Sequence, residues 1–267
     1  MFSVRTTFGQ NHARVRFDWG LPGALALAEQ PHPVVVVVDV LSFSTAVAVA
    51  GEFGIEVLPF RWRDDRAATF AEAVGAELAT GRQLDGPSLS PASIRRWGRS
   101  LRRGGSAAAD LPTSRLVLPS PNGSSICFAL ADRGASVLVG CLRNAKAVAS
   151  WLAARLATDR MTSIGVVAAG ERWPDGSLRA AVEDLLGSGA VLAGLHRAVP
   201  GIAMSPEARA ALAAFAAAEP ELPRQLTDCA SGLELVEYGF AEDVAIAAEL
   251  DASAGVPVLV GDRFRSD

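Results

Sequence analysis

The stretch that decides the fold is residues 33–45, "PVVVVVDVLSFST". Five consecutive valines, Val34–Val38, follow Pro33 and run straight into Asp39. A continuous β-branched run bounded by proline is the pattern of a strand buried on both faces, as in a sheet covered by helices. An ionised carboxylate at the end of such a strand needs a partner, because an isolated buried charge is very costly. Two readings of Asp39 stand side by side. One is a strand-end residue bonded to backbone amides; the other is a working group at the carboxyl edge of the sheet, where open α/β sheets bind ligands. Ser42, Ser44 and Thr45 follow, at the start of a small, apolar segment with helical spacing over 44–53, where hydroxyls serve as caps.

Outward from this strand, strand and helix alternate for most of the 267 residues. Toward the N-terminus the chain reads as two strands, "SVRTTF" and "ARVRFDW", then a short helix "GALALAEQ". Beyond the valines come a strand "IEVLPF" and an amphipathic helix over 64–80 with an acidic first turn. Strands "RLVLP", "SVLVGC" and "SIGVVAAG" are each followed by helical spacing, over 123–132, 144–157 and 178–187. Residues 80–112 break the pattern. They are rich in Gly, Pro, Ser and Arg and read as a long excursion holding one short helix. Residues 190–250 are mostly helical. "SGLELVEYG" has a capping-box pattern, with Ser231 as N-cap, Glu234 three residues on and Gly239 as the stop. "VPVLVGD" closes as a last strand. The alternation predicts one α/β domain of three α/β/α layers around a mostly parallel or mixed sheet.

Composition narrows the function. The chain is 50% hydrophobic, enough for a sizeable core, and its apolar runs are too short to span a bilayer. No signal-peptide pattern opens it, so the expectation is a soluble cytoplasmic protein. The net charge is −4 with no basic run, which argues against nucleic acid as a partner. Lys146 is the only lysine. Codon bias explains that simply, although arginine also binds oxyanions in a fork geometry that lysine lacks. The cysteines, Cys127, Cys141 and Cys229, form no metal spacing and read as buried thiols. The histidines, His12, His32 and His196, are isolated, which removes histidine-rich zinc motifs and leaves carboxylates, hydroxyls, amides and a hard metal for any catalysis.

Two more strand ends carry unusual residues. "LPSPNGSS", residues 118–125, places Asn122, Gly123 and Ser124 between a strand and a helix. Such a turn is either a plain reversal or an anion nest backed by a helix N-terminus. "AAGERWPDGSLRAAVEDLLGSGAVLAG", residues 168–194, places Gly170, Glu171 and Arg172 at a strand end. The helical face there is Leu178, Val182, Leu185 and Leu186. Glu183 and Asp184 lie off it, so periodicity predicts solvated charges. Against that, Ala180, Ala181, Gly187 and Ser188 give Asp184 a small-residue face suited to close packing.

Together these segments resemble the 2-phosphosulfolactate phosphatase family. The matching pieces are "VVVVVDVLSFST", "SPNGSS", "CLRNAKAVA" with Asn144 opening a helix, "VEDLLGSGAVL" and "SGLELVEYGFAEDVAIAAELD", in order over nearly the whole chain. The resemblance implies a magnesium-dependent phosphatase of α/β/α fold, a homodimer, acting on a small anionic 2-phospho-acid such as 2-phospho-3-sulfolactate. It implies Asp39, Glu183 and Asp184 as catalytic carboxylates and Mg2+ ligands, with Glu171 in reserve. Ser42, Ser44, Thr45, Asn122, Gly123, Ser124, Asn144 and Gly170 are then the substrate-binding candidates, and Arg172 or Arg179 pairs with the substrate's carboxylate or sulfonate. Many members carry arginine directly after the D-V-L; here that position is Ser42, and the role passes to Arg143, Arg172 or Arg179. Two other readings remain: an aspartyl-phosphate at Asp39, as in haloacid-dehalogenase-type enzymes, although Leu41 stands where those carry a second aspartate; and a non-catalytic anion-binding protein.

Overall fold

The computed structural model describes residues 8–62, 64–103 and 114–266. The expected strand "SVRTTF" and the end of the 80–112 excursion therefore fall largely outside the described residues. The strands are β1 (Val15–Trp19), β2 (Pro33–Val38), β3 (Glu56–Phe60), β4 (Glu77–Leu78), β5 (Arg115–Pro119) and β6 (Ser136–Gly140). They continue with β7 (Ser163–Ala168), β8 (Glu171–Arg172), β9 (Leu178–Arg179), β10 (Pro257–Val260) and β11 (Arg263–Ser266). The helices are α1 (Gly20–Leu27), α2 (Phe43–Glu52), α3 (Arg66–Val74), α4 (Pro91–Arg103), α5 (Gly123–Ala131) and α6 (Ala145–Thr158). After them come α7 (Val182–Ala198), α8 (Pro206–Ala218), α9 (Leu222–Asp228), α10 (Ala230–Glu237) and α11 (Ala241–Ala247).

Nine of these strands form one mixed sheet in the order β1-β7-β2-β6-β10-β11-β3-β5-β4. Pairing is parallel from β1 through β6 and again among β3, β5 and β4. The β10–β11 hairpin joins the two blocks by antiparallel pairing on both sides. The valine strand is central, with β7 and β6 as its neighbours. Its side chains alternate between two cores. Val34, Val36 and Val38 join one with α6, α7 and α8, while Val35 and Val37 join the other with α1, α2 and α5. Each fully buried valine stabilises by roughly 1.5–3 kcal/mol, which explains why this strand tolerates no polar residue before Asp39. The three-layer α/β/α expectation is borne out.

Four element boundaries differ from expectation. The helix expected over 64–80 stops at Gly75, in the left-handed region at φ 62°, and Glu77–Leu78 pair with β5 as an edge strand. The helix expected from residue 178 begins at Val182, because Leu178–Arg179 pair with Glu171–Arg172 in a two-stranded hairpin. The N-cap of α10 is Cys229 rather than Ser231, with its Sγ accepting from Gly232 N at 3.3 Å. The last strand is followed by another, β11, turned by Gly261 at φ 64°. Among the described residues no helix is long and apolar enough to cross a membrane.

α7 carries two candidate acids, and its position is set by glycines. A β-carbon on Gly187 would stand 2.6 Å from Val40 Cγ2, and one on Gly189 would strike Ala211 O and stand 2.5 Å from Phe215 Cβ on α8. Glycine to alanine in an open helix stabilises by about 1 kcal/mol. Gly189→Ala is predicted to do the reverse, lowering stability by roughly 1–3 kcal/mol through overpacking against backbone. Urea denaturation checks the sign; an unchanged or raised midpoint contradicts the close approach.

Candidate active site

Asp39 leaves the end of β2 and turns back on the N-terminus of α2. Its amide donates to Ser44 Oγ at 2.8 Å, and that hydroxyl donates to Val37 O at 3.1 Å. Thr45 Oγ1 donates to Val40 O at 2.7 Å. The two hydroxyls read as caps or substrate ligands thus fasten the turn itself, and the N-cap residue Ser42 does not cap α2 with its side chain. The Asp39 carboxylate accepts from Phe43 N at 3.2 Å and from the Gly123 amide. Gly123 is required there, since a β-carbon would strike Phe43 and stand 2.9 Å from Asp39 Oδ2. Asp39 therefore fills much of the nest expected in the Asn122–Ser124 turn. Ser124, wholly buried on the first turn of α5, has no hydrogen-bond partner for its hydroxyl.

Glu183 and Asp184 are 2% and 4% exposed, whereas Leu178 and Val182 are 45% and 44% exposed. The expectation of solvated acids is thus reversed. The helix begins four residues later than periodicity suggests, and its first turn abuts the ends of β2 and β7 instead of solvent. Asp184 accepts from Val40 N at 2.7 Å and from Gly170 N at 2.9 Å, one oxygen to each strand end. The residue after Gly170 is Glu171, whose Oε2 accepts from Asn122 Nδ2 at 3.1 Å. Arg172 Nε donates to Asn122 Oδ1 at 3.2 Å and Arg172 Nη1 to Gly176 O at 3.1 Å. Arg179 Nη2 donates to Ser231 Oγ at 3.0 Å, and its charge also acts on Glu171.

Four carboxylates from β2, the β7–β8 connection and α7 thus act on one another. Burial, then the Glu171 charge, pushes the Asp39 carboxyl up to about 7. Burial, then Asp39 and Glu183, holds Asp184 well above the usual carboxylate range, despite its two amide donors. Glu171 is raised as well, by burial foremost and by Glu183. Burial and the neighbouring Glu183 push the Cys229 thiol up to about 12. All three cysteines are free and buried, as expected.

Three candidates have other commitments. Asn144 is fully buried, and its amide is bound to backbone groups: Cys141 N, Val139 O and Gly255 O. Arg143 is 2% exposed and is bound to Glu52 at 2.6 Å, to Glu249 and to Ile246 O, so it braces α2 against α11 and does not face a ligand. Ser42 is buried, and its hydroxyl accepts from Arg82 Nη2 at 2.7 Å. Arg82 escaped the sequence reading because nothing in local spacing marks a contact across forty residues.

Among the described residues, no three His, Cys, Asp or Glu side chains converge into a closed metal-ligand set. The chemistry of the donors still fits a hard divalent cation. They are all carboxylate oxygens, and magnesium commonly takes one or two carboxylates and completes its shell with water and phosphate.

A model of the family described as 2-phosphosulpholactate phosphatase matches residues 106–262. A protein of Thermus thermophilus named "Probable 2-phosphosulfolactate phosphatase" is 31% identical over 228 residues, 85% of this chain and 88% of that protein. The chain belongs to the 2-phosphosulfolactate phosphatase family. The family match spans the Asn122 turn, the Glu171 strand end and the first turn of α7. The Asp39 turn lies outside the family match.

The raised Asp39 carboxyl gives a pH prediction with a definite sign. Between the ordinary carboxylate range and about 7, the folded chain holds a proton at Asp39 that the unfolded chain has released. Metal-free protein is therefore predicted to lose stability as pH rises through that window, by up to about 1.4 kcal/mol per pH unit for one proton, and to level off above it. Melting in a chelator at about pH 5 and about pH 8 measures the loss, and Asp39→Asn is predicted to shrink it. An identical pH dependence in the two proteins refutes the assignment.

Proposed function

We propose that this chain is a magnesium-dependent phosphatase that hydrolyses a small 2-phospho-acid, 2-phospho-3-sulfolactate or a near analogue, to the hydroxy acid and phosphate. The observation that carries the reading is the cluster of Asp39, Glu171, Glu183 and Asp184 at adjoining strand ends, with mutual repulsion recorded in the raised carboxyls, in a chain of this family. Asp39 together with Glu171 or Glu183 would hold Mg2+, with water completing its shell, and Asp184 would set their positions through Val40 and Gly170. When bound, the cation supplies Lewis-acid polarisation of the phosphoryl group and offsets its charge against the carboxylates.

The chain's own residues do the rest. The first turn of α5 adds the favourable end of a helix dipole next to Asp39, suited to an anionic phosphoryl group. Asn122, held between Glu171 and Arg172, brings an amide and a nearby guanidinium to the same side. A carboxylate of the cluster would take a proton from the attacking water. Water oxygen bonds to phosphorus, the bond from phosphorus to the ester oxygen breaks, and that oxygen leaves on the hydroxy acid with a proton. The same reading places the enzyme in the cytoplasm as a homodimer, and sedimentation of purified protein checks the assembly.

Purified protein with magnesium is predicted to release phosphate from 2-phosphosulfolactate and to stop in excess chelator. Asp39→Asn and Glu183→Gln are each predicted to lower kcat by about 100-fold or more. Absence of turnover across a panel of 2-phospho-acids, with anion binding retained, makes the protein a binder. A trapped phosphoryl-enzyme lost in Asp39→Asn makes Asp39 the nucleophile instead.

A further inference from the structure

A guanidinium that does not belong to the carboxylate cluster reaches the Asp39 turn from the opposite side. Arg82 lies in the turn that follows the Thr80 bridge to Ser88. Its Nη2 donates to Ser42 Oγ at 2.7 Å and its Nη1 pairs with Asp243, on the first turn of α11. The guanidinium also lies over the Phe240 ring, 5.4 Å from the centroid. Two segments remote in sequence, at Ser42 and at Phe240 to Asp243, therefore fix one planar cation. Asp243 is 1% exposed at its side chain, and its other oxygen accepts from Ser90 Oγ at 2.6 Å and Ala92 N at 3.0 Å. Its negative charge is divided among those donors and is not directed at Arg82 alone.

The Arg82 side chain, 18% exposed, lines a cavity of about 760 Å³ together with Thr80, Pro119, Tyr238 and Phe240. None of the four clustered carboxylates lines that cavity. The guanidinium is tied to the Asp39 turn through Ser42, which precedes Phe43, whose amide bonds the Asp39 carboxylate.

We propose that Arg82 is a specificity residue that receives the second anionic group of the substrate, the carboxylate or sulfonate beside the phosphate ester, and that Ser42 holds its guanidinium in register. The proposal rests on the phosphatase reading. A guanidinium already oriented by a carboxylate, a hydroxyl and an aromatic face offers its planar donors to an oxyanion with little further ordering.

The test compares Arg82→Gln, Arg82→Lys and Ser42→Ala with the wild type on three esters. These are 2-phosphosulfolactate, 2-phospholactate, which carries the carboxylate without the sulfonate, and p-nitrophenyl phosphate, which carries neither. Arg82→Gln is expected to raise KM for the esters bearing a second anion at least about 10-fold more than KM for p-nitrophenyl phosphate, the effect of one lost charge-assisted hydrogen bond. The size of the rise on 2-phospholactate tells whether carboxylate or sulfonate is the group bound. Arg82→Lys is expected to recover part of the loss, and Ser42→Ala to raise the same KM values with kcat held within about threefold. Equal changes on all three esters, or no change on the doubly anionic ones, overturn the assignment and leave Arg82 a structural tie. If Arg82→Gln fails to fold, the Lys and Ser42 variants decide by the same KM ratio. If the wild type turns over no ester, the phosphatase reading has failed. Calorimetry with sulfolactate then judges Arg82 separately, with at least about 10-fold weaker binding in Arg82→Lys and Ser42→Ala expected and equal affinities overturning it.

Discussion

The arrangement depends on one carboxylate. Asp184 takes the amide of Val40 on one oxygen and the amide of Gly170 on the other, and so ties together the ends of two neighbouring strands. Each anchored amide is adjacent in sequence to a candidate acid: Asp39 precedes Val40 and Glu171 follows Gly170. Fixing the two amides therefore fixes where two further carboxylates leave the sheet. The amides favour the ionised form of Asp184, yet burial and the nearby Asp39 and Glu183 outweigh them, and its carboxyl stays raised. Hydrogen bonding has organised the cluster without neutralising it. The repulsion within the cluster is what a divalent cation can offset.

Arginines divide into two uses around this centre. Arg143 is enclosed by Glu52, Glu249 and a backbone carbonyl, and Arg95 shares Glu249. Those pairs join α2, α4 and α11 behind the Asp39 turn. Arg172 and Arg179 instead act on residues of the site, and Arg82 binds Ser42 on the Asp39 turn. A genome preference for arginine explains the lone lysine, but it does not explain why three acceptors converge on Arg143.

The fold was legible because its strongest signal is physical and local. Five valines bounded by proline admit few structures, and their even and odd members now face two separate cores. Asp39, Glu171 and the Asn122 turn were legible as strand-end chemistry and do lie together, whereas Glu183 and Asp184 were named as site residues only by the family resemblance. What escaped the sequence has a common cause. Periodicity assumes that a helix turns its polar side to water, whereas the first turn of α7 turns its acids toward neighbouring strand ends. The helix phase was misjudged because Leu178 and Arg179 belong to a hairpin. Ser44 and Thr45 look like caps in sequence but donate backward to strand carbonyls, a choice that depends on how the chain leaves β2.

Arg82 shows the limit most plainly. Sequence comparison drew attention to Ser42 as a position lacking a guanidinium, yet the structure places one against that very hydroxyl, delivered from forty residues downstream. Charge at a site is a property of space, not of position in a motif. The delivery also has a consequence for assembly. Ser42 stands on the turn that carries Asp39, and Arg82 reaches it while anchored to α11 by Asp243, itself bonded to Ser90 and Ala92 at the start of α4. The C-terminal helices are therefore coupled to the Asp39 turn through two polar contacts, so a change in α11 that loosens Asp243 is felt first as a displaced guanidinium and only afterwards as lost packing.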